Sequence, residues 1–359
     1  MVKEKILVLN PGSTSTKIAV FQGEKEVWVE SISHSLEDLK PFPTVFSQKD
    51  MRKKLILELL LKHGDQLDSF EAIVSRGGCM PPVEAGAYEV NDEMVYALEH
   101  HPVDQHASNV GAAIALEFAK EISVKAYIYD ALTIDEMTKV NTITGLKGIR
   151  HQARGHNLNT RAAALRVCKE KGVDYNNSNI VVAHLGGGIT INLHSQGKMI
   201  DVIMDEEGPF SPERAGGLPV YSVVKLCYSG KYSETELMKQ LQRKGGMISY
   251  FGTADMREVE KMINEGNTEA EEVFEAMALS TAKNIAKIAP SVDGKVDFIV
   301  LTGGLAYSER FVNSVKKHIS FLAPVELVPG EHEMEALAGG TLRVLRGEEQ
   351  AKQFRDSTK

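Results

Sequence analysis

The chain has 359 residues, a length that suits two average cores better than one. Its net charge of -8 argues against a nucleic-acid partner, which needs a basic surface to displace counterions. Hydrophobic residues at 43% and charged residues at 25% exclude a disordered chain, and no apolar run is long enough to span a bilayer. Cys79, Cys168 and Cys227 are scattered without a CxxC spacing and read as reduced thiols, and the apolar run at 6–9 is too short for a signal peptide; the expected compartment is the cytoplasm.

In chain order, Ile6-Leu7-Val8-Leu9 is a short buried-strand pattern. A turn of small and hydroxyl residues follows, Asn10-Pro11-Gly12-Ser13-Thr14-Ser15-Thr16, and Lys17-Ile18-Ala19-Val20-Phe21 returns as a second strand, with a third over 27–32. Residues 51–63 form an amphipathic helix, 72–75 a strand ending in Arg76-Gly77-Gly78, 108–121 a second helix, and 126–129 a strand that delivers Asp130. The second half repeats the order. Strands are expected at 179–185, 189–194 and 199–202, a long helix at 271–289 stopped by Pro290, and a strand at 297–301 opening into Thr302-Gly303-Gly304. The repeat predicts two duplicated α/β domains, 1–150 and 151–340, with a last helix at about 341–359 packing back on the first and 347–359 as a charged, frayed tail.

Three turns could hold a ligand. In 10–17, small residues let backbone N–H groups and hydroxyls approach phosphate oxygens closely, although an ordinary hairpin reads the same way. His184-Leu185-Gly186-Gly187-Gly188 leaves bare backbone dipoles after a strand, which suits a polyphosphate or a plain bulge. Thr302-Gly303-Gly304 stands in the same position at the end of another strand. Neither GxxxxGK[ST] nor a GxGxxG after a strand is present, so those nucleotide folds do not apply.

Taken together, the three turns resemble those of the superfamily of acetate and sugar kinases, Hsp70 and actin. Within it the stretches 9–19, 130–137, 182–189, 214–219, 301–308 and 330–340 resemble the butyrate kinase family of the acetate kinase group. The resemblance implies two duplicated ribonuclease H-like domains of βββαβα pattern, with an active-site cleft between them. It further implies ATP-dependent phosphorylation of a short-chain fatty acid carboxylate, butyrate or isobutyrate, to an acyl phosphate plus ADP. The implied cofactors are ATP/ADP and Mg2+, and the implied state is a homo-oligomer. By position, Asn10, Ser13, Ser15 and Lys17 fall in the first phosphate loop and His184, Gly186, Gly187 and Gly188 in the second, while Thr302, Gly303 and Gly304 meet the adenosine. Asp130, His151 and Arg214 match the family's catalytic positions, and Asp130 with Glu333 the magnesium-associated carboxylates, Glu331 and Glu335 remaining alternatives.

Two stretches depart from the acetate kinase pattern. Ile73 stands where the carboxylate-contacting arginine is expected, so Arg76, Arg150 or Arg154 is left to hold the substrate, with Arg76 favoured. The departures weaken acetate as the preferred acid, and leave acetate or propionate kinase as one alternative and an Hsp70- or actin-like binding protein as another. Without the resemblance, each residue has a plainer reading: Asp130 a helix cap, Arg214 a surface ion pair with Glu213 or Glu207, His151 a structural histidine, and the glutamates at 331–335 a helix entry.

Overall fold

The computed structural model describes residues 4–356. The elements run β1 (Lys5–Pro11), β2 (Ser15–Gln22), β3 (Lys25–Ser33), α1 (Leu36–Leu39), α2 (Lys49–Lys62), β4 (Ala72–Arg76), β5 (Ala87–Glu89), α3 (Asp92–His100), α4 (Asn109–Ile122) and β6 (Lys125–Tyr129). They continue with α5 (Asn157–Lys171), β7 (Asn179–Leu185), β8 (Ile189–Ser195), β9 (Lys198–Ile203), α6 (Val220–Cys227), α7 (Glu234–Arg243), α8 (Gly246–Phe251), α9 (Met256–Asn264) and α10 (Thr268–Ile288). The last are β10 (Phe298–Gly303), α11 (Glu309–Ile319), β11 (Val325–Pro329), α12 (Glu333–Leu345) and β12 (Lys352–Gln353).

Two compact units result, residues up to Asp135 together with the segment from His332 onward, and Glu136–Glu331. Each holds one sheet with the same internal order. In the first unit β3-β2-β1-β4-β6 is extended by β5 and β12; in the second the order is β9-β8-β7-β10-β11. The first three strands of each form an antiparallel meander, and the next two run parallel to the first. This is the duplicated ribonuclease H-like pattern.

The central strands are apolar because they are covered on both faces. Leu7 and Leu9 of β1 share a core with Val110, Ile114 and Phe118 of α4. Side chains alternate along a strand, so Val8 and Tyr129 face the other way, where α12 lies against β1, β4 and β6. The second unit repeats this. α10 and α11 cover one face through Phe274, Met277, Phe311 and Val315, and the small residues Ala163, Ala164 and Cys168 of α5 pack on Val182 and Val300 at the other.

The division falls at 135/136, not near 150. The Thr138 N–H donates to the Ile200 carbonyl (3.1 Å), as does the Asn141 amide (3.0 Å), which ties this segment to β9. The last helix spans Glu333–Leu345, earlier than the expected 341–359, and belongs to the first unit. The segment expected to fray instead pairs β12 with β5 in parallel and buries Phe354; positions 357–359 lie outside the described residues. A consequence of the two crossings is that α5 follows the first sheet but packs on the second, and α12 follows the second but packs on the first.

Two tests follow from the packing. A Cβ at Gly340 would stand 2.4 Å from the Tyr129 ring, and Arg343 and Glu349 both bond that ring's hydroxyl. The ring has no room to yield, so Gly340→Ala lowers stability by about 1–3 kcal/mol; an unchanged melting temperature would refute the tight contact. Burial, with the Arg161 charge nearby, holds His194 of β8 down to about 3. The unfolded chain takes that proton near pH 6.5 and the folded chain does not, so stability falls as pH drops below about 6.5, by about 1.4 kcal/mol per pH unit. Urea midpoints at pH 7 and pH 5 check this, and His194→Gln should flatten the slope.

Candidate active site

In the first unit the carboxyl ends of β1, β4 and β6 lie side by side, since Leu9 pairs with Ser75 and Arg76 with Tyr129. Asn10 is next to last in β1, Arg76 ends β4, and Asp130 follows β6. The Asn10 amide donates to Glu333 Oε2 (2.7 Å), and the Arg76 guanidinium reaches both Glu333 oxygens, at 3.2 and 3.3 Å. Glu333 opens α12, where the helix dipole favours a carboxylate, so the plain reading of a helix entry also holds. Of the three glutamates only Glu333 joins Asn10 and Arg76. Glu335 lies 3.7 Å from His332, and Glu331, in the second unit, 4.0 Å from His184.

The turn after β1 is tight: the Gly12 N–H donates to the Ser15 carbonyl (2.8 Å) and the His34 N–H to that of Thr14 (2.8 Å). Ser13 and Thr14 are exposed, and their own N–H groups have no partner among the described residues. Lys17 sits opposite Asn10 in the β1–β2 register, hence on the same face, with its ammonium exposed. Asp130 caps no helix. It is buried, sits in the left-handed region (φ 46°), and takes the Gly86 N–H on Oδ1 at 2.8 Å. That strained conformation, unusual for a residue other than glycine, aims its carboxylate at a defined position.

His106 also borders this group. Burial holds its pKa below the usual histidine value, the Arg76 charge adds to this, and Asp104 and Glu333 partly oppose it. Its Nδ1 accepts from the Ser108 N–H (3.1 Å). No group of three or more His, Cys, Asp or Glu side chains is arranged for a metal among the described residues.

In the second unit His184, next to last in β7, is buried, with its ring stacked on His156 at 3.8 Å. The hydrogen bonds assign its tautomer. Thr302 spends its single proton on the Gly330 carbonyl (3.2 Å) and so accepts from Asn159 (3.3 Å). The Asn159 amide is therefore the donor to His184 Nδ1 (2.8 Å), and the proton rests on Nε2. Nε2 lies 3.1 Å from where a Gly186 Cβ would stand, so the N–H group reaches over the glycine turn.

Side chains crowd that turn. A Cβ at Gly187 would meet Glu213 at 2.8 Å, and one at Gly188 would meet Asp205 at 3.1 Å and Arg214 at 3.6 Å. The Gly187 carbonyl accepts from the Ser211 hydroxyl (2.6 Å) and the Glu213 N–H (3.0 Å), which brings the Arg214 loop against the turn. Arg214 is held by Asp205 (3.0 Å), by Glu213 (3.2 Å) and by the Gln242 carbonyl. It borders a cavity of about 490 Å³, so its ion pairs position it without covering it. His151 Nδ1 donates to Glu207 at 2.6 Å and is bonded to none of the residues of the glycine turn. Gly303 (φ 89°) presses on the Leu185 backbone, where a Cβ would come within 2.5 Å of the carbonyl oxygen, and Gly304 is exposed. Arg150 and Arg154 are exposed, Arg150 bonding Thr142.

The model of the Acetokinase family matches residues 121–328. The chain is 43% identical over 356 residues to butyrate kinase 2 of Clostridium acetobutylicum, a match covering 99% of this chain and all of that one. The chain belongs to the acetokinase family. Within it the chain groups with the butyrate kinases, being 43% identical also to butyrate kinase 1 of the same organism over 353 residues, 98% of this chain and 99% of that one. Acetokinase architecture is seen as well in the solved acetate kinases of Porphyromonas gingivalis (TM-score 0.80, 18% identity, 95% of this chain and 100% of that one) and Entamoeba histolytica (TM-score 0.76, 15% identity, 94% and 99%). At those identities the likeness carries the fold.

Asn159, His156 and Asp205 escaped sequence reading because each acts through a partner elsewhere in the chain, and Glu207, expected as a partner of Arg214, bonds His151 instead. Asn159→Asp would accept from Nδ1 and transfer the His184 proton away from Nε2. The ring should then carry its proton on Nδ1 with the fold intact. A ¹⁵N spectrum still showing the Nε2–H tautomer in this variant would contradict the assignment.

Proposed function

We propose that this chain catalyses reversible phosphoryl transfer from ATP to a short-chain fatty acid, butyrate or isobutyrate, giving an acyl phosphate and ADP. The observation carrying this reading is the arginine-bearing loop against the glycine turn: Arg214 held by Asp205 and Glu213 at the Gly186–Gly188 backbone. Near-full-length likeness to proteins named butyrate kinases supports the acid. No helix of the described residues is long and apolar enough to cross a membrane. A cytoplasmic homo-oligomer is part of the proposal, and α6, of which no residue is buried, supports self-association.

The acceptor needs no base. A fatty acid has a pKa near that of a glutamate side chain, about 4.3, and is already anionic at neutral pH. The obstacle is the approach of one anion to another, and the proposed roles are electrostatic. Arg214 and His151 donate to the equatorial oxygens of the moving phosphoryl group, where preorganised donors each contribute about 3–4 kcal/mol. Asp205, Glu213 and Glu207 hold them in place beforehand. The donors of the 10–17 turn and of Gly186–Gly188 receive phosphate oxygens, and Thr302, Gly303 and Gly304 the adenosine. Asp130 and Glu333 are hard oxygen donors of the kind Mg2+ prefers, and are the residues that would hold it. Bound there, the ion would neutralise part of the triphosphate charge. Arg76 is the proposed carboxylate partner: its Nε is buried without an acceptor, whereas Arg150 and Arg154 are exposed. Chain-length preference should be graded, because each buried methylene adds only about 0.8 kcal/mol.

Trapping the product with hydroxylamine tests the reading. Acyl hydroxamate should form only with ATP and a carboxylate, more from butyrate than from acetate; ATP turnover indifferent to carboxylate would overturn the proposal. Arg214→Ala should lower kcat about 10²- to 10³-fold with little change in the KM for ATP, and an equal loss in both would count against its role.

A further inference from the structure

Arg52 is the largest fully buried side chain among the described residues. It shares the buried stripe of α2 with Ile56, Leu59 and Leu60, a position normally filled by an apolar residue. All of its partners are neutral. Nε and Nη2 donate to Gln48 Oε1 (3.1 and 2.8 Å), and Nη1 donates to the Ser15 carbonyl (2.9 Å) and the Thr16 hydroxyl (2.8 Å). Burial alone pulls its pKa down, to about 10, so it keeps its charge at neutral pH. His34 adds no negative charge. Its Nε2 lies 2.8 Å from the Thr16 hydroxyl, a neutral partner. No carboxylate pairs with Arg52 among the described residues, an arrangement that proteins ordinarily avoid for a buried cation.

What Arg52 grips is the turn after β1. The Ser15 carbonyl accepts both from Arg52 and from the Gly12 N–H, and the Thr14 carbonyl accepts from His34. With those carbonyls drawn back, the exposed Ser13 and Thr14 keep unpartnered N–H groups. The turn thus presents donors outward and has an uncompensated cation behind it.

We infer that Arg52 is the positioning residue of this turn, a buried cation whose missing counter-charge is supplied by the polyphosphate of the bound nucleotide. The inference rests on the proposal that the turn receives phosphate oxygens. It makes ligand-free stability and nucleotide affinity oppose each other at one residue. Arg52→Met strands few groups, since the Ser15 carbonyl keeps the Gly12 N–H and Thr16 keeps His34.

The experiment measures ADP binding by calorimetry, and melting temperature with and without saturating Mg·ADP, for the full chain. Arg52→Met should weaken ADP about tenfold or more, leave the ligand-free melting temperature unchanged or raised, and shrink the ADP-induced rise. Arg52→Lys, which keeps the charge but loses the fork, should fall between. A merely structural arginine would lower the ligand-free melting temperature while the ADP affinity and the induced rise stayed as in the wild type, and that result overturns the inference. Should Arg52→Met fail to fold, Thr16→Val removes one acceptor at nearly constant volume and must still weaken ADP; unchanged affinity there is equally fatal. The double change Ser13→Ala with Ser15→Ala separates the two levels. If it weakens ADP and the Arg52 variants do not, only the role of Arg52 fails; if it too has no effect, the phosphate role of the turn fails with it.

Discussion

In each unit one central strand, β1 or β7, pairs with an antiparallel neighbour on one side and a parallel one on the other. Its chain must reverse at once into the antiparallel neighbour, while the parallel neighbours end beside it without a partner beyond. Donors left without a partner among the described residues, the N–H groups of Ser13 and Thr14, lie in the turn after β1, whereas those of Asp130 after β6 and Gly303 ending β10 are taken by the Gly86 and Gly330 carbonyls. The rest of the site adapts to this constraint. Gly303 is required because the Leu185 backbone leaves no room for a Cβ and its φ is positive, and Asp130 is buried in a left-handed conformation.

Buried polar groups then fix what the turns alone would leave loose. The Asn159–His184–Thr302–Gly330 chain sets a tautomer and joins β7 to β10, and the Arg52–Ser15–Thr16 contacts set the first turn. Such networks cost stability when any member is unsatisfied, so they are informative where they occur. Both lie directly behind residues expected to meet phosphate.

Charge is arranged by the same logic. Arg214 and His151 each carry carboxylate partners within hydrogen-bond reach, which hold them at a fixed place before any ligand arrives. Arg76 is likewise engaged by Glu333, so a substrate carboxylate would bind a guanidinium already oriented. The net charge of -8 is no obstacle, because the positive groups act over a few ångströms in partly buried surroundings where screening is weak.

Periodicity and turn chemistry along the chain were enough to find the meanders, the α4 and α10 helices, the three glycine- or hydroxyl-rich turns, and the repeat itself, since these depend on neighbours within a few residues. The strands β5 and β12, three and two residues long, are too short to show a period, and the helices α6 to α9 were not read although α7 and α9 are amphipathic. The chain alone also determined which residue types stand at the strand ends: Asn10, Arg76, Asp130, His184 and Thr302. Only the tertiary structure decided that Glu333 and not Glu331 or Glu335 meets Asn10 and Arg76, because a helix begun after the second sheet returns to the first. Arg52 and Asn159 became visible for the same reason. Their meaning lies in partners 36 and 25 residues away in the chain, a separation over which no local pattern carries information and packing alone brings the groups together.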